Sequence, residues 1–234
     1  MKVVIVGGVA GGATAAARIR RLNEQAEIVV FERSGYISYA NCGLPYYIGG
    51  VIEDPEDLTL QTPESFFSRF HIHMKVHHEV TAIHPDSKTV SVKNLETGEI
   101  FEESYDKLLL SPGAKPVWPN LPGMNSDKLF TLRTVEDTFR IKEFVDQQRP
   151  KSAVMVGGGF IGLEVAEKLR ELGMEVTIVQ RPKQLMNPFD ADMASFIHSE
   201  VRKHGVKLAL GYSVEGFAEK NNGVEVLLKG QPSI

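Results

Sequence analysis

The sequence predicts an α/β protein that contains two similar units, each built around a parallel sheet. The main observation is an internal repeat. Residues 2–33, KVVIVGGVAGGATAAARIRRLNEQAEIVVFER, are matched by residues 152–181, SAVMVGGGFIGLEVAEKLRELGMEVTIVQR. Each copy has a short apolar strand, a glycine-rich turn, a helix rich in Ala, Leu, Arg and Glu, and a second apolar strand. This is a βαβ pattern, and βαβ units place their two strands parallel.

The glycine turn of the second copy fits the dinucleotide-binding pattern G-x-G-x-x-G through Gly157, Gly159 and Gly162. The first glycine allows a tight turn, the second lets the backbone approach a pyrophosphate, and the third lets the helix pack close to the strand. The N–H groups at the start of the following helix can then bind phosphate. The second copy therefore predicts a Rossmann-like dinucleotide-binding domain.

The first copy departs from this pattern, because Val9 stands between Gly7 and Gly12 where the middle glycine is expected. Its position between a strand and a helix still favours a dinucleotide site over an ordinary glycine-rich turn. Glu32 ends the second strand, twenty residues past Gly12, where a carboxylate can accept hydrogen bonds from ribose hydroxyls. Glu32 suits the adenosine ribose of FAD, which makes the first copy the predicted flavin site.

In the second copy Gln180 stands where Glu32 stands in the first, and Arg181 follows it. A carboxylate would repel a 2′-phosphate, so an amide beside a guanidinium slightly favours NADPH. The alternative is that Gln180 bonds the hydroxyls of NADH. Two dinucleotide sites in one chain predict an electron relay between a bound FAD and an exchanging nicotinamide cofactor.

The segment between the two copies predicts further elements. Thr62 followed by proline predicts a helix start, and residues 80–103 alternate like a small antiparallel meander. A strand is expected at Leu108–Leu110, and the proline-rich residues 112–122 are the best candidate for a linker. A helix from about Val135 to Asp146 leads into the second copy.

The composition excludes several classes of function. The net charge is −4, with acids and bases interspersed, so we expect no nucleic-acid partner. No apolar run is long enough to span a membrane, and MKVVIVGG is too short in its apolar part for a signal peptide. Five of the seven histidines fall within residues 71–84, but no second ligand cluster accompanies them, so we predict an exposed strand pair rather than a metal site. We expect a cytoplasmic protein with a reduced thiol.

The block YISYANCGLPYYIGG, residues 36–50, contains Cys42, the only cysteine in the sequence. We expect Cys42 to begin a short helix, with Ser38 or Asn41 as its cap. A single cysteine forms no internal disulfide, so a redox role needs a mixed disulfide, a persulfide or a sulfenic acid. The alternative is an inert buried cysteine, against which the polar, glycine- and proline-flanked context argues.

Together with GGVAGGATAAARIRRL, SPGA and GGGFIGLE, this block resembles the pyridine nucleotide-disulfide oxidoreductase superfamily over the whole chain, which implies the glutathione-reductase fold. The single-cysteine block is most similar to the branch of CoA-disulfide reductases, NADH oxidases and persulfide reductases, and closest to the CoA-disulfide reductases, including the rhodanese-fused type. The resemblance implies an FAD-binding segment at 1–112 and an NAD(P)H-binding domain at 113–234. A returning FAD segment and a C-terminal dimerisation domain are expected in a homodimer, so we expect this chain to be incomplete.

The resemblance also implies site residues, with Cys42 as the catalytic thiol over the flavin ring. Those predicted to bind cofactor are Gly7, Val9, Ala10, Gly11, Gly12, Glu32, Arg33, Asn41, Val80, Ser111 and Gly113 in the first part of the chain, and Gly157, Gly159, Phe160, Ile161, Gly162, Glu164, Gln180 and Arg181 in the second. Those predicted to bind CoA are Thr14, Arg18, Arg21, Ser38 and Asn41.

The residues themselves support part of this set. Thr14, Arg18 and Arg21 are spaced to share one helix face, and arginine suits phosphate through bidentate hydrogen bonds. The alternative is an ordinary solvated face. For the whole protein, we predict reduction of a small-molecule disulfide or persulfide of CoA. An NADH oxidase or peroxidase that uses a sulfenic acid, and a non-catalytic nucleotide-binding redox module, are the alternatives.

Overall fold

The structure is a computed structural model that describes residues 1–220 and 223–234. From the N-terminus its elements are β1 (Lys2–Val6), α1 (Ala10–Leu22), β2 (Glu27–Phe31), α2 (Leu44–Ile48), α3 (Pro63–Phe70), β3 (His73–Lys75), β4 (His78–His84), β5 (Thr89–Asn94), β6 (Ile100–Ser104), β7 (Lys107–Leu110), α4 (Val135–Gln148), β8 (Ser152–Val156), α5 (Phe160–Glu171), β9 (Glu175–Gln180), α6 (Ala191–Lys203), β10 (Lys207–Leu210), β11 (Val214–Lys220) and β12 (Gly223–Leu228). Short 3₁₀ helices lie at Asn41–Gly43 and Pro55–Leu58.

The chain forms two compact units. The first contains Met1–Asn41 and Asp54–Lys115, and the second contains Cys42–Glu53 and Pro116–Ile234. Each unit holds one copy of the repeat, and the strands of both copies are parallel. The predicted α/β fold with two Rossmann-like sheets is therefore confirmed.

The first unit is built on a parallel sheet in the order β3-β2-β1-β7. Side chains of a strand alternate between the two faces of a sheet. On one face Ile5 and Val30 pack against α1 and α3, and on the other Val4 and Phe31 pack against the antiparallel sheet β4-β5-β6. The predicted meander is therefore present, and it covers one face of the parallel sheet.

The second unit repeats this plan on a parallel sheet in the order β10-β9-β8. Ile178 packs on one face with Val165 and Leu169 of α5, and Val179 packs on the other with Val226 of the hairpin β11-β12. The short helix α2 belongs to this unit, since Ile48 is fully buried in the same cluster as Val165. The bounds of α4 agree with the helix predicted from Val135.

Helix α3 begins as the sequence predicts. The Thr62 hydroxyl accepts a hydrogen bond from the Ser65 N–H, and the Ser65 hydroxyl accepts one from the Thr62 N–H. This capping box satisfies two of the free donors at the helix start. None of the described helices is long and apolar enough to cross a bilayer. Within the same residues, no group of three or more His, Cys, Asp or Glu side chains is arranged to hold a metal ion.

Candidate functional site

The first glycine turn joins β1 to α1 in the first unit. Gly7 has a φ of +99°, a conformation that side chains with a Cβ rarely adopt. A Cβ on Gly12 would overlap the carbonyl oxygen of Gly7, which explains why the third glycine of the pattern is required. The Glu32 carboxylate accepts hydrogen bonds from the Gly8 N–H at 2.7 Å and from the Ser34 N–H at 2.8 Å. Glu32 thus lies directly beside the turn, half-buried, at the end of β2.

The second glycine turn has the same geometry. Gly157 has a φ of +116°, and a Cβ on Gly162 would overlap the Gly157 carbonyl oxygen. The Oε1 atom of Gln180 accepts a hydrogen bond from the Gly158 N–H at 3.0 Å, as Glu32 does for Gly8. A Cβ on Gly159 would meet no heavy atom of the described residues within 4 Å. This open side of the turn, at the start of α5, can accommodate a pyrophosphate.

The repeat extends six residues beyond Glu32 and Gln180, which the sequence comparison did not detect. Ser38 has a φ of 47° and its N–H donates to the Gly8 carbonyl at 3.1 Å. Met186 has a φ of 50° and its N–H donates to the Gly158 carbonyl at 2.8 Å. Positive φ values outside glycine are uncommon, and they persist where surrounding contacts hold them. Gly8 and Gly158, which directly follow the first glycine of each turn, are therefore each held at both the N–H and the C=O.

The other predicted cofactor residues of the first unit lie mostly at one edge of its sheet. Val9 is the N-cap of α1, and Ala10 and Gly11 are exposed in its first turn. Ser111 follows β7, and a Cβ on Gly11 would overlap its hydroxyl. These residues surround the carboxyl ends of β1 and β7, where ligands bind in sheets of this kind.

The remaining members of this set lie further along the first unit. Gly113 has a φ of 69° just after β7. The Arg33 guanidinium lies 3.6 Å from the Glu79 carboxylate, and Val80 is half-buried in β4. Asn41 is half-buried in the 3₁₀ turn, where it makes contacts of its own.

The corresponding residues of the second unit follow the glycine turn. Phe160 and Ile161 are both more than half exposed in the first turn of α5. Glu164 is half-buried one turn later. Arg181 is exposed directly after Gln180, and no hydrogen bond or ion pair of its side chain is found within the described part of the chain.

Cys42 is exposed in the 3₁₀ turn Asn41–Gly43, just before α2. A short helix is present as predicted, but it begins at Leu44 rather than at Cys42, and neither Ser38 nor Asn41 is its N-cap residue. The N-cap residue of α2 is Gly43, and Pro45 lies in its first turn. Ser38 cannot cap this helix, because its left-handed backbone bonds to Gly8 four residues upstream of Cys42. Cys42 is thus not buried among the described residues, which argues against an inert buried cysteine.

Helix α2 is fixed to α5 through Lys168, a residue that the sequence did not indicate. Lys168 is only 5% exposed, and a Cβ on Gly49 would stand 2.8 Å from the Lys168 Cβ. Its ammonium lies 2.8 Å from Glu171, 3.3 Å from Glu167 and 5.0 Å from the centre of the Tyr46 ring. The hydrogen bond that the ammonium donates to the Glu171 carboxylate raises the pKa of Lys168, so the residue stays charged. Lys168 therefore holds the segment that follows the thiol.

The residues of α1 that are predicted to bind CoA are all exposed. Thr14, Arg18 and Arg21 are exposed, and among the described residues no hydrogen bond or ion pair of either arginine is found. The neighbouring Arg20 is different, because its guanidinium donates to the carbonyls of Glu24, Phe70 and His71 at 2.6–2.9 Å. Arg20 thus caps the end of α3, whereas Arg18 and Arg21 are available to a ligand.

A family model for pyridine nucleotide-disulphide oxidoreductases matches residues 1–234. The chain belongs to the pyridine nucleotide-disulphide oxidoreductase family. It is 43% identical over 228 residues to the coenzyme A disulfide reductase of Staphylococcus aureus (strain MRSA252), which covers 97% of this chain and 50% of that protein. The chain therefore spans about half the length of the curated relatives it matches.

The chain is also similar over nearly its whole length to solved structures of longer proteins. Reduced CoADR-RHD from Bacillus anthracis is 49% identical with a TM-score of 0.96, over 100% of this chain and 42% of that one. An NAD-dependent persulfide reductase from A. fulgidus is 33% identical with a TM-score of 0.93, over 99% and 43%. A water-forming NADH oxidase from Lactobacillus brevis, bound to NADH, is 34% identical with a TM-score of 0.92, over 100% and 51%. These family members confirm the predicted family and support the predicted FAD and nicotinamide cofactors.

Proposed function

We propose that this chain forms the dinucleotide-binding part of an FAD-dependent oxidoreductase that uses NADPH or NADH to reduce a disulfide or persulfide of CoA. The observation that carries the proposal is the exposed thiol of Cys42, held in a turn at the start of α2. It is the only cysteine of these 234 residues, and the proposed reduction of a disulfide runs through a bond between its sulfur and a sulfur of the substrate.

The geometry of the two glycine turns supports the binding of these cofactors. When bound, FAD and the nicotinamide supply two electrons for each catalytic cycle. The turn at Gly7 with Glu32 would hold the adenosine part of FAD, and the open turn at Gly159 would hold the pyrophosphate of the nicotinamide cofactor. The exposed Arg181 beside Gln180 supports use of NADPH.

The proposed cycle runs through a covalent bond between the Cys42 sulfur and a sulfur of the substrate. The Cys42 thiolate attacks one sulfur of the CoA disulfide, the S–S bond breaks, and one CoA thiolate leaves. A mixed disulfide between Cys42 and CoA remains. Its two-electron reduction, with one proton, releases the second CoA thiol and restores the Cys42 thiolate. For a CoA persulfide, attack on the outer sulfur releases CoA and leaves a persulfide on Cys42, which reduction returns to the thiolate with release of sulfide.

Substrate recognition is proposed for the exposed face of α1. CoA carries phosphates, and Arg18 and Arg21 offer guanidinium groups that no described residue of the protein engages. Thr14 lies on the same face, and Ser38 and Asn41 are the remaining proposed contacts. A homodimer in the cytoplasm, where reduced thiols prevail, completes the proposal.

The test uses the full-length, flavin-loaded protein without oxygen. Oxidation of NADPH and of NADH is followed with and without CoA disulfide or CoA persulfide. We expect oxidation that depends on the CoA species, a loss of that dependence in Arg21→Ala, and no change in Arg69→Ala, which removes an exposed arginine elsewhere in the first unit. Cys42→Ser should keep its flavin and produce no CoA thiol. Full reduction of CoA disulfide by Cys42→Ser would exclude the mechanism.

The second candidate function is an NADH oxidase or peroxidase, in which Cys42 cycles through a sulfenic acid. It is favoured by the 34% identity to the water-forming NADH oxidase and by the same exposed thiol. Oxygen and peroxide carry no phosphate, so Arg18 and Arg21 would not matter for turnover. Rapid turnover with oxygen or peroxide, with no dependence on CoA and no effect of Arg21→Ala, would favour this function.

A further inference from the structure

The loop of residues 181–190, between β9 and α6, supports the second glycine turn. The Met186 N–H donates to the Gly158 carbonyl at 2.8 Å. The fully buried Leu185 side chain fills the space where a Cβ on Gly158 would stand. Since the Gly158 N–H is bound to Gln180, every polar backbone atom of Gly158 is held from the end of β9 or from this loop.

A histidine on the next helix holds the same loop. The Leu185 N–H donates to the Nε2 atom of His198 at 3.0 Å. The proton of the neutral ring therefore lies on Nδ1, because Nε2 acts as an acceptor. His198 is half-buried on α6, and the neighbouring Ile197 packs against the core of the second unit. The hydrogen bond to His198 thus fixes the position of Leu185 relative to α6.

The loop also carries the charges that would meet a nucleotide. Arg181 and Lys183 are exposed at its start, and within the described residues neither side chain has a hydrogen bond or ion pair. The Gly211 N–H donates to the carbonyls of Gln180 and Pro182 at 2.9 and 3.0 Å, which fixes the backbone between these two cations. A displacement of Leu185 would therefore change both the backbone of the glycine turn and the setting of the cations.

We propose that His198 is a positioning residue for nicotinamide-nucleotide binding, which it supports by accepting the hydrogen bond of Leu185 and so holding the loop against Gly158. This inference rests on the proposed function, because it assumes that the second glycine turn binds the nucleotide. His198 does not touch the nucleotide in this proposal and acts through Leu185 and Met186.

The experiment measures binding of NADP⁺ and of NAD⁺ to the full-length, flavin-loaded protein by titration calorimetry, so that no turnover occurs. His198→Leu removes the acceptor and should raise the Kd for both nucleotides about three- to tenfold, the usual size of one lost hydrogen bond. His198→Gln offers an amide oxygen to Leu185 and should restore the Kd to within about twofold of the wild-type value. His204→Leu, the same change at an exposed histidine that ends α6, is the matched control and should leave the Kd unchanged.

A thermal unfolding midpoint is recorded for each variant, and His198→Phe replaces His198→Leu if the latter does not fold. Wild-type affinity in both acceptor-free variants would overturn the inference. Equal weakening by His198→Gln and His198→Leu would also overturn it, because ring shape rather than the acceptor would then matter. If the wild-type protein binds neither nucleotide, the proposed function fails and this inference fails with it. If wild-type binding is normal and only the His198 prediction fails, the proposed function stands.

Discussion

Helices α1 and α5 occupy equivalent positions in the two copies of the repeat, yet they present very different faces. With Gly12 matched to Gly162, Arg20 is matched to Arg170. Arg20 donates to the carbonyls of Glu24 and of His71, the C-cap residue of α3. Arg170 donates in the same way to Met174, also four residues on, and to His204, the C-cap residue of α6. This arginine is therefore a structural part of the repeated unit.

The neighbouring positions have diverged. Thr14, Arg18 and Arg21 are matched to Glu164, Lys168 and Glu171. In the first unit the arginines of this face are exposed, whereas in the second unit Lys168 is buried beneath α2 and held by acids. One helix face, fixed by the same glycines and the same capping arginine, can therefore either remain exposed, as in α1, or support the segment that carries the thiol, as in α5.

The largest effects are expected from substitutions at the third glycine of each turn, which both copies of the repeat share. Gly12→Ala and Gly162→Ala each place a methyl group against a carbonyl oxygen, at a cost of about 1–3 kcal/mol or more. Gly12→Ala should lose flavin, whereas Gly162→Ala should keep flavin and lose nicotinamide binding. Flavin absorbance and nucleotide titration check this. If Gly162→Ala, with Gly12 unchanged, lost its flavin, the two copies would not bind separate cofactors.

The capping arginines should be equivalent in the two units. Arg20→Met and Arg170→Met each remove charged hydrogen bonds to helix-end carbonyls, and each should lower the free energy of unfolding by about 2 kcal/mol. Arg18→Met removes an exposed side chain and serves as the control, with a change of about 0.5 kcal/mol or less. Denaturant unfolding measures all three. An effect of Arg18→Met as large as that of Arg20→Met would remove the distinction between the two roles.

Gln180, at the end of β9, should determine how well the second glycine turn accepts the 2′-phosphate of NADP⁺. In Gln180→Glu a carboxylate can still accept from the Gly158 N–H, so the turn is kept while a negative charge faces the nucleotide. The Kd for NADP⁺ should rise about tenfold and that for NAD⁺ should change little, because only the former carries a 2′-phosphate. Gln180→Asn, which changes length without charge, is the control. Equal effects on both nucleotides would contradict this role.

The smallest effect concerns the loop of the second copy. Burial, and then the nearby charge of Arg202, lower the pKa of His198. The folded state therefore holds fewer protons on His198 than the unfolded state does, so the stabilisation is complete above about pH 6.5 and is lost as the pH falls through the folded pKa. Because one hydrogen bond contributes about 1 kcal/mol, the midpoint of thermal unfolding should fall by roughly 2–4 °C more in the wild type than in His198→Gln on acidification. If the midpoints of the wild type and of His198→Gln fall equally on acidification, protonation of His198 does not cause the loss of stability.

The sequence predicted what local rules determine and missed what depends on distant contacts. The positive φ of Gly7 and Gly157, and the close packing at Gly12 and Gly162, follow from the glycine pattern alone. The turns at Ser38 and Met186 carry no such pattern, because neighbouring contacts hold these residues in a conformation that neither favours. The docking of α2 on Lys168 was likewise missed, since it depends on a glycine and a lysine more than a hundred residues apart. The assigned roles of the predicted site residues remain predictions.

The segment Cys42–Glu53 packs within the second unit although both of its chain neighbours belong to the first. Synthesis proceeds from the N-terminus, and domains generally fold as units as they emerge. The first unit can assemble its sheet once β7 has left the ribosome, but α4 and α5, against which α2 packs, follow later in the chain. The segment that carries Cys42 therefore reaches its final packing only after α5 has been synthesised. In a nascent chain halted before α5, residues Cys42–Glu53 would lack the helix against which α2 packs.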